Sequence, residues 1–185
     1  MEETPTTKAC EQLRENQVTR INLQGKNLGD AEARMLANAI LQSNTSLKQL
    51  LLGSNQIGDE GAKALANALK SNTSLQTLSL LNNQIGNEGA KALANALQVN
   101  TRLQEIDLAK NQVADEGAKA LATALQDVNT SLQKLHLGGN QIGDEGAKAL
   151  ANALKSNMRN WRRGSLRVGD RSSRRQHSFI QTATR

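Results

Sequence analysis

The sequence of 185 residues almost lacks aromatic side chains: it contains Trp161 and Phe179 and no tyrosine. Because aromatic residues supply much of the buried area in ordinary globular cores, this core has to be built from leucine, isoleucine and alanine. The chain has a single cysteine, Cys10, which excludes an intramolecular disulfide framework. We expect Cys10 to pack within an N-terminal helix rather than to serve as a redox site.

Long hydrophobic runs are also absent. No stretch of 18 consecutive apolar residues occurs, which excludes a membrane-spanning helix. Residues 1–5 include two acids and no apolar segment, so they do not resemble a secretory signal, and we expect a cytoplasmic protein. The two histidines, His136 and His177, lie far apart in the sequence, and no motif indicates a metal site or a cofactor.

The net charge of +6 is unevenly distributed. Residues 157–185 contain eight arginines, no lysine and a single acid, whereas residues 1–156 contain nearly equal numbers of acids and bases. This change in composition predicts a boundary near residue 157. We interpret residues 157–185 as an arginine-rich tail that is either disordered or folded back as a cap through Trp161, Leu166 and Phe179.

Between residues 18 and 156 one pattern recurs five times. Its first strand position falls at Val18, Leu47, Leu75, Leu103 and Leu132, with spacings of 29, 28, 28 and 29 residues. A nearly fixed period of this length is typical of a solenoid, in which each repeat packs only against its neighbours. We therefore divide the chain into an N-terminal helical cap (1–17), five repeats (18–156) and the tail (157–185).

Each repeat contains two periodicities. Leu50 and Leu52 lie two residues apart, which places them on one face of a short strand, whereas Leu65 and Leu69 have helical spacing. Because a helix connects each strand to the next, successive strands are predicted to be parallel, with right-handed connections. Asn55 and its equivalents follow the strands, where we expect their amides to pair with backbone groups that would otherwise be buried and unpaired.

The pattern Leu-x-x-Leu-x-Leu-x-x-Asn-x-Ile-Gly-Asp-Glu-Gly resembles the ribonuclease-inhibitor class of leucine-rich repeats, and especially the repeat regions of NOD-like receptors. The resemblance implies an α/β leucine-rich-repeat solenoid with parallel strands on the concave face and helices on the convex face. It also implies a non-catalytic module that binds a protein partner on the concave face. The chain has no Gly-x-x-x-x-Gly-Lys-Ser/Thr motif, so regulation by nucleotide does not carry over.

The positions that flank the inner strand leucines differ from repeat to repeat, and on a strand they point to the concave face. We predict a partner-binding surface formed by Arg20, Asn22, Gln49, Leu51, Thr77, Ser79, Leu81, Glu105, Asp107, Lys134 and His136. Leu51 and Leu81 are its candidate apolar anchors, and its charged residues are expected to give charge selectivity. Asp107 and His136 are predicted cross-strand neighbours, which we interpret as a solvated ion pair rather than a catalytic pair.

Other functions stay open at this stage. Repeats of this class also occur in GTPase-activating proteins for Ran, so the resemblance allows a regulator of a small GTPase. The basic tail allows nucleic-acid binding through phosphate contacts, and residues 162–165 and 174–178 resemble substrates of basophilic kinases. Alternatively, the tail is an unrelated segment that follows an interrupted array. An uncovered last repeat would expose a sheet edge, through which we expect self-association unless the tail caps it.

Overall fold

The computed structural model describes residues 4–15, 17–43, 46–126 and 131–157. Its helices are α1 (Pro5–Arg14), α2 (Asp30–Ser43), α3 (Asp59–Ser71), α4 (Asn87–Val99), α5 (Asp115–Gln126) and α6 (Asp144–Asn157). Its strands are β1 (Arg20–Asn22), β2 (Gln49–Leu51), β3 (Thr77–Ser79), β4 (Glu105–Asp107) and β5 (Lys134–His136). The cap predicted from Trp161, Leu166 and Phe179 lies outside the described residues.

The described strands form one parallel sheet in chain order, from β1 to β5. Their register stacks equivalent positions, so that Ile21 lies opposite Leu50 and Leu50 lies opposite Leu78. Each helix contacts the next helix and each strand contacts the next strand. Because every helix also contacts the next one along the chain, the helices lie together on one side of the sheet. This architecture confirms the predicted α/β solenoid.

The core is a stack of aliphatic side chains. Buried strand leucines and isoleucines form two columns that run through all repeats: Ile21, Leu50, Leu78, Ile106 and Leu135, then Leu23, Leu52, Leu80, Leu108 and Leu137. Each helix adds alanines and leucines at helical spacing, such as Ala62, Leu65, Ala66 and Leu69 in α3. Burial between repeats makes each repeat depend on its neighbours.

No helix in the described ranges is both long and apolar enough to cross a membrane.

Helix α1 covers the first repeat and contacts α2. It begins at Pro5, and the hydroxyl of Thr4 accepts a hydrogen bond from the backbone N–H of Thr7, which caps the first turn. Its buried side chains include Cys10, which belongs to the same hydrophobic core as the repeats. Burial raises the pKa of the Cys10 thiol, which disfavours the reactive thiolate. The packed position predicted for Cys10 is therefore confirmed.

An asparagine that follows each of the last four strands joins neighbouring repeats. The Nδ2 of Asn55 donates to the carbonyl oxygens of Leu23 and Leu52, each at 2.9 Å. Its Oδ1 accepts the backbone N–H of Leu28 at 3.0 Å. The equivalent residues Asn83, Asn111 and Asn140 make the corresponding bonds. The predicted pairing of these amides with buried backbone groups is confirmed. The structure adds that each amide also binds the backbone of the preceding repeat.

A second set of hydrogen bonds links consecutive helices. The Oδ1 of Asp59, at the start of α3, accepts the backbone N–H groups of Gly86 and Gly89 at 2.7 and 2.8 Å. It thereby satisfies two of the unpaired donors in the first turn of α4, where an anion also suits the helix dipole. The same two bonds are accepted in the other repeats by Asp30, Asn87 and Asp115.

This capping explains why glycine recurs at the third position of helices α3 to α6. A Cβ on Gly89 would lie 2.7 Å from the Oδ1 of Asp59 and 2.9 Å from the Cβ of Ala62. The first repeat has Glu32 at this position, and the Oε2 of Glu32 accepts the backbone N–H of Gly29 at 2.8 Å. The atypical first repeat therefore caps its helix with its own side chain.

Replacing Asn83 with alanine is expected to lower the free energy of unfolding by about 2–4 kcal/mol, because several buried backbone groups lose their partners. Urea denaturation followed by circular dichroism measures this change. The matched control is Asn95→Ala, an exposed position on α4, which should change stability by less than about 0.5 kcal/mol. Similar losses in both variants would show that the asparagine bonds do not stabilise the solenoid.

Gly89→Ala is expected to lower the free energy of unfolding by about 1–2 kcal/mol. The added methyl would overlap Asp59 and Ala62, and this steric cost exceeds the gain from the higher helix propensity of alanine. Differential scanning calorimetry would report a lower Tm. In the control, Gly29→Ala, the nearest atom to the new methyl is the Oε2 of Glu32 at 3.6 Å, so only the weaker N-cap preference of alanine acts and Tm should fall less than in Gly89→Ala. An unchanged Tm for Gly89→Ala would contradict the packing argument.

Candidate functional site

The sheet surface opposite the helices carries the side chains that flank the buried strand residues. We call it the concave face and define it by Arg20, Asn22, Gln49, Leu51, Thr77, Ser79, Leu81, Glu105, Asp107, Lys134 and His136. The parallel register aligns these residues in rows: Gln49 lies beside Thr77 and Leu51 lies beside Ser79. Leu81 lies two residues after Ser79, the last residue of β3, so the alternation of side chains places it on the same face. The structure therefore brings the residues singled out from the sequence onto one continuous surface.

Exposure varies along the concave face from residue to residue. Leu51 and Leu81 are half-buried, and Ser79 has 8% of its surface exposed, so it offers little area for contact. Arg20 on β1 and Lys134 on β5 are exposed. The face thus combines two half-buried leucines on and beside its middle strands with polar neighbours there and charged residues on its outer strands.

A charged cluster occupies the β4–β5 end of the face. The Nζ of Lys134 lies 3.0 Å from the Oε2 of Glu105, and the Nε2 of His136 lies 3.4 Å from its Oε1. Both oxygens of one carboxylate are therefore used by neighbours on the next strand. The side chain of His136 is 14% exposed, which places the imidazole in the surface rather than above it.

Asp107 has a different role from the one predicted. It lies opposite His136 in the register, as expected, but its Oδ1 accepts the backbone N–H of Ala109 at 3.0 Å. Among the described residues it forms no ion pair, so the predicted Asp107–His136 pair is wrong and Glu105 is the partner of the imidazole. The longer glutamate side chain reaches diagonally across the strands, whereas the shorter aspartate turns to its own backbone.

The cluster suits charge recognition better than metal chemistry. In the parts of the chain that the structure describes, no group of three or more His, Cys, Asp or Glu side chains could hold a metal ion. Ser79 lies beside Asp107 in the register, but the Nε2 of His136 points to Glu105. The carboxylates and cations of the cluster can instead form ion pairs and hydrogen bonds with the side chains of a bound protein.

One edge of the concave face is built from residues in left-handed conformation. The position two residues after the second strand leucine has φ between 54° and 72° at Gly25, Ser54, Asn82, Lys110 and Gly139. This turn directs the chain so that the next residue, an asparagine in four repeats, reaches the buried backbone. Glycine signals this conformation in the sequence, whereas serine and lysine give no such signal.

A family model described as "Leucine Rich repeat" matches residues 43–66, 71–94, 99–122 and 128–151. The comparison with curated proteins gives no match.

Solved structures with a similar fold include "Leiomodin-1 Actin-Binding Site 2 (ABS2)", with a TM-score of 0.70 and 24% identity over 87% of this chain and 94% of that chain. The tropomodulin C-terminal domain of Caenorhabditis elegans is similar with a TM-score of 0.68 and 18% identity over 85% of this chain and 95% of that chain. At these identities the similarity is one of fold.

Lys110→Gly is expected to raise the free energy of unfolding by about 0.5–1 kcal/mol. Glycine removes the cost of holding lysine in the left-handed conformation, and this gain exceeds the loss from the greater freedom of glycine in the unfolded chain. Guanidinium unfolding measures the difference. The control is Gln112→Gly, an exposed position nearby without positive φ, which should lose about 0.5–1 kcal/mol. Loss of stability in both variants would contradict the assignment of strain to Lys110.

Proposed function

The chain belongs to the leucine-rich-repeat family, and we propose that it is a protein-interaction module that binds its partner on the concave face without catalysing a reaction. One contrast carries this proposal. The buried strand positions are leucine or isoleucine in every repeat, whereas the concave positions differ in size, charge and polarity. Packing constrains the first set, and the second set is free to match a partner.

The dimensions of the face favour a single partner segment. Five parallel strands spaced about 4.8 Å apart give a width of about 19 Å, and three residues per strand give a height of about 10 Å. An α-helix with its side chains is about 10–12 Å across, and an extended segment is narrower. Either element fits when it lies across the strands.

The partly exposed leucines are proposed to supply affinity and the charged ends to supply selectivity. Covering Leu51 and Leu81 removes apolar surface from water, at about 25 cal/mol for each Å². The ion-paired cluster around Glu105 and the exposed Arg20 would reject partners with mismatched charge. From the resemblance of the repeats to NOD-like receptors, we further propose a cytoplasmic role in sensing or signalling.

The structural neighbours suggest a defined first probe. One of them is the actin-binding site 2 of leiomodin-1, so we propose purified actin as the first candidate partner to test. A cosedimentation experiment with filamentous actin, and a pull-down with monomeric actin, would cover both forms. Affinity capture from cell extract, quantified by mass spectrometry, would cover partners other than actin.

The double variant Leu51→Glu with Leu81→Glu is expected to abolish partner capture, because two carboxylates would have to be desolvated where the two leucines otherwise supply apolar contact area. Wild type and variant serve as parallel baits in the affinity capture, and circular dichroism and Tm verify that the solenoid is intact. Proteins that are captured by the wild type and lost by the variant are the partners of the concave face.

The matched control is Met35→Glu with Val99→Glu, which adds the same charge to helices α2 and α4. These side chains are 44% and 57% exposed, so the control should retain every partner of the wild type. A capture profile that survives in the concave-face variant, or that disappears equally in the control, would contradict the proposed binding face.

A further inference from the structure

The last described repeat exposes surfaces that every earlier repeat buries. Ala33, Ala62, Ala90 and Ala118 are 0% exposed where the following helix packs on them. The equivalent residue of α6, Ala147, is exposed. Ala122 and Leu125 of α5 are buried, whereas their equivalents in α6, Ala151 and Leu154, are only half-buried. The end of the array therefore keeps the shape of an interface between repeats.

The polar groups at this end have the same positions as those that bind the following repeat elsewhere in the array. The carboxylate of Asp115 accepts the N–H groups of Gly143 and Gly146, at 2.7 and 2.9 Å. Asp144, its equivalent in α6, is exposed and accepts no such pair of bonds within the described ranges. Strand β5 is the last strand of the described sheet, so its outer edge presents backbone donors and acceptors.

The charges on this surface are self-complementary. Helix α6 carries Asp144 and Glu145 in its first turn and Lys155 in its last turn. When two copies of α6 pack antiparallel about a two-fold axis, the first turn of one lies beside the last turn of the other, and the contact occurs twice. The cation on the β5 edge, Lys134, is already paired with Glu105 and adds little repulsion.

We propose that this surface, defined by the outer edge of β5 with Asp144, Ala147, Ala151 and Leu154 and called the C-terminal end face, binds the C-terminal end face of a second copy of this chain. The small side chains on α6 allow two helices to approach closely, as they do between successive repeats. The antiparallel orientation pairs Asp144 with Lys155 of the second copy. This surface is separate from the concave face, so dimer formation leaves the proposed binding face open.

Sedimentation equilibrium of the full chain over a range of concentrations tests the proposal. The wild type should form dimers, and Leu154→Arg should raise the dimer dissociation constant by about tenfold or more, because two cations would enter the apolar part of the interface. Met35→Arg, which places the same charge on an exposed apolar position of α2, should dimerise like the wild type.

Charge reversal tests the antiparallel arrangement itself. Asp144→Lys and Lys155→Glu should each weaken the dimer by about tenfold, because like charges then face each other twice. The double variant restores opposite charges and should return to within about threefold of the wild-type dissociation constant. Since the double variant has unfavourable charges at both ends of α6, a more stable helix cannot account for this rescue.

Two results would overturn the proposal. A chain that stays monomeric at every concentration would show that the C-terminal end face does not bind a second copy. A dimer that persists in Leu154→Arg, or a double variant no tighter than the single charge variants, would place the interface elsewhere.

Discussion

The solenoid depends on one constraint: backbone N–H and C=O groups that become buried where each short strand turns towards its helix must find partners. Each repeat solves only part of this problem by itself. Asn83 reaches the backbone of the preceding repeat, and Asp59 caps the helix of the following one. Hydrogen bonding therefore follows the same nearest-neighbour rule as the packing of leucines, and the two reinforce each other in setting the register of the sheet.

The same constraint separates structural positions from positions that can recognise a partner. Leucine columns, the asparagines and the capping aspartates all lie towards the interior or between the helices. The concave positions are left without a structural task, apart from local ones such as the bond from the Ala109 N–H to Asp107. The hydrogen-bonded sheet holds the backbone at Leu51, Leu81 and the Glu105 cluster in register, so the proposed partner would not have to order it on binding.

Both ends of such an array require a special solution, because an end repeat lacks one neighbour. At the N-terminal end, α1 covers the apolar side and Glu32 takes over the capping of α2. At the other end of the described repeats, α6 retains the sequence of an internal helix, including the capping residue Asp144. The chemistry of this end is therefore that of an interface between repeats, which is the physical basis for the proposed association between two copies.

The amino-acid pattern alone predicts the repeat, the strand and helix of each unit, the buried leucines such as Leu50 and Leu78, and the side chains that share the concave face. These properties follow from periodicity along the chain, which is local. The folded chain adds three choices that the pattern does not contain. Asp59 caps the helix beginning at Asn87, Glu105 rather than Asp107 pairs with His136, and Lys110 adopts a left-handed conformation. Those choices depend on strand register, side-chain length and the path of the turn, because a contact between repeats is set by distances in space that periodicity does not encode.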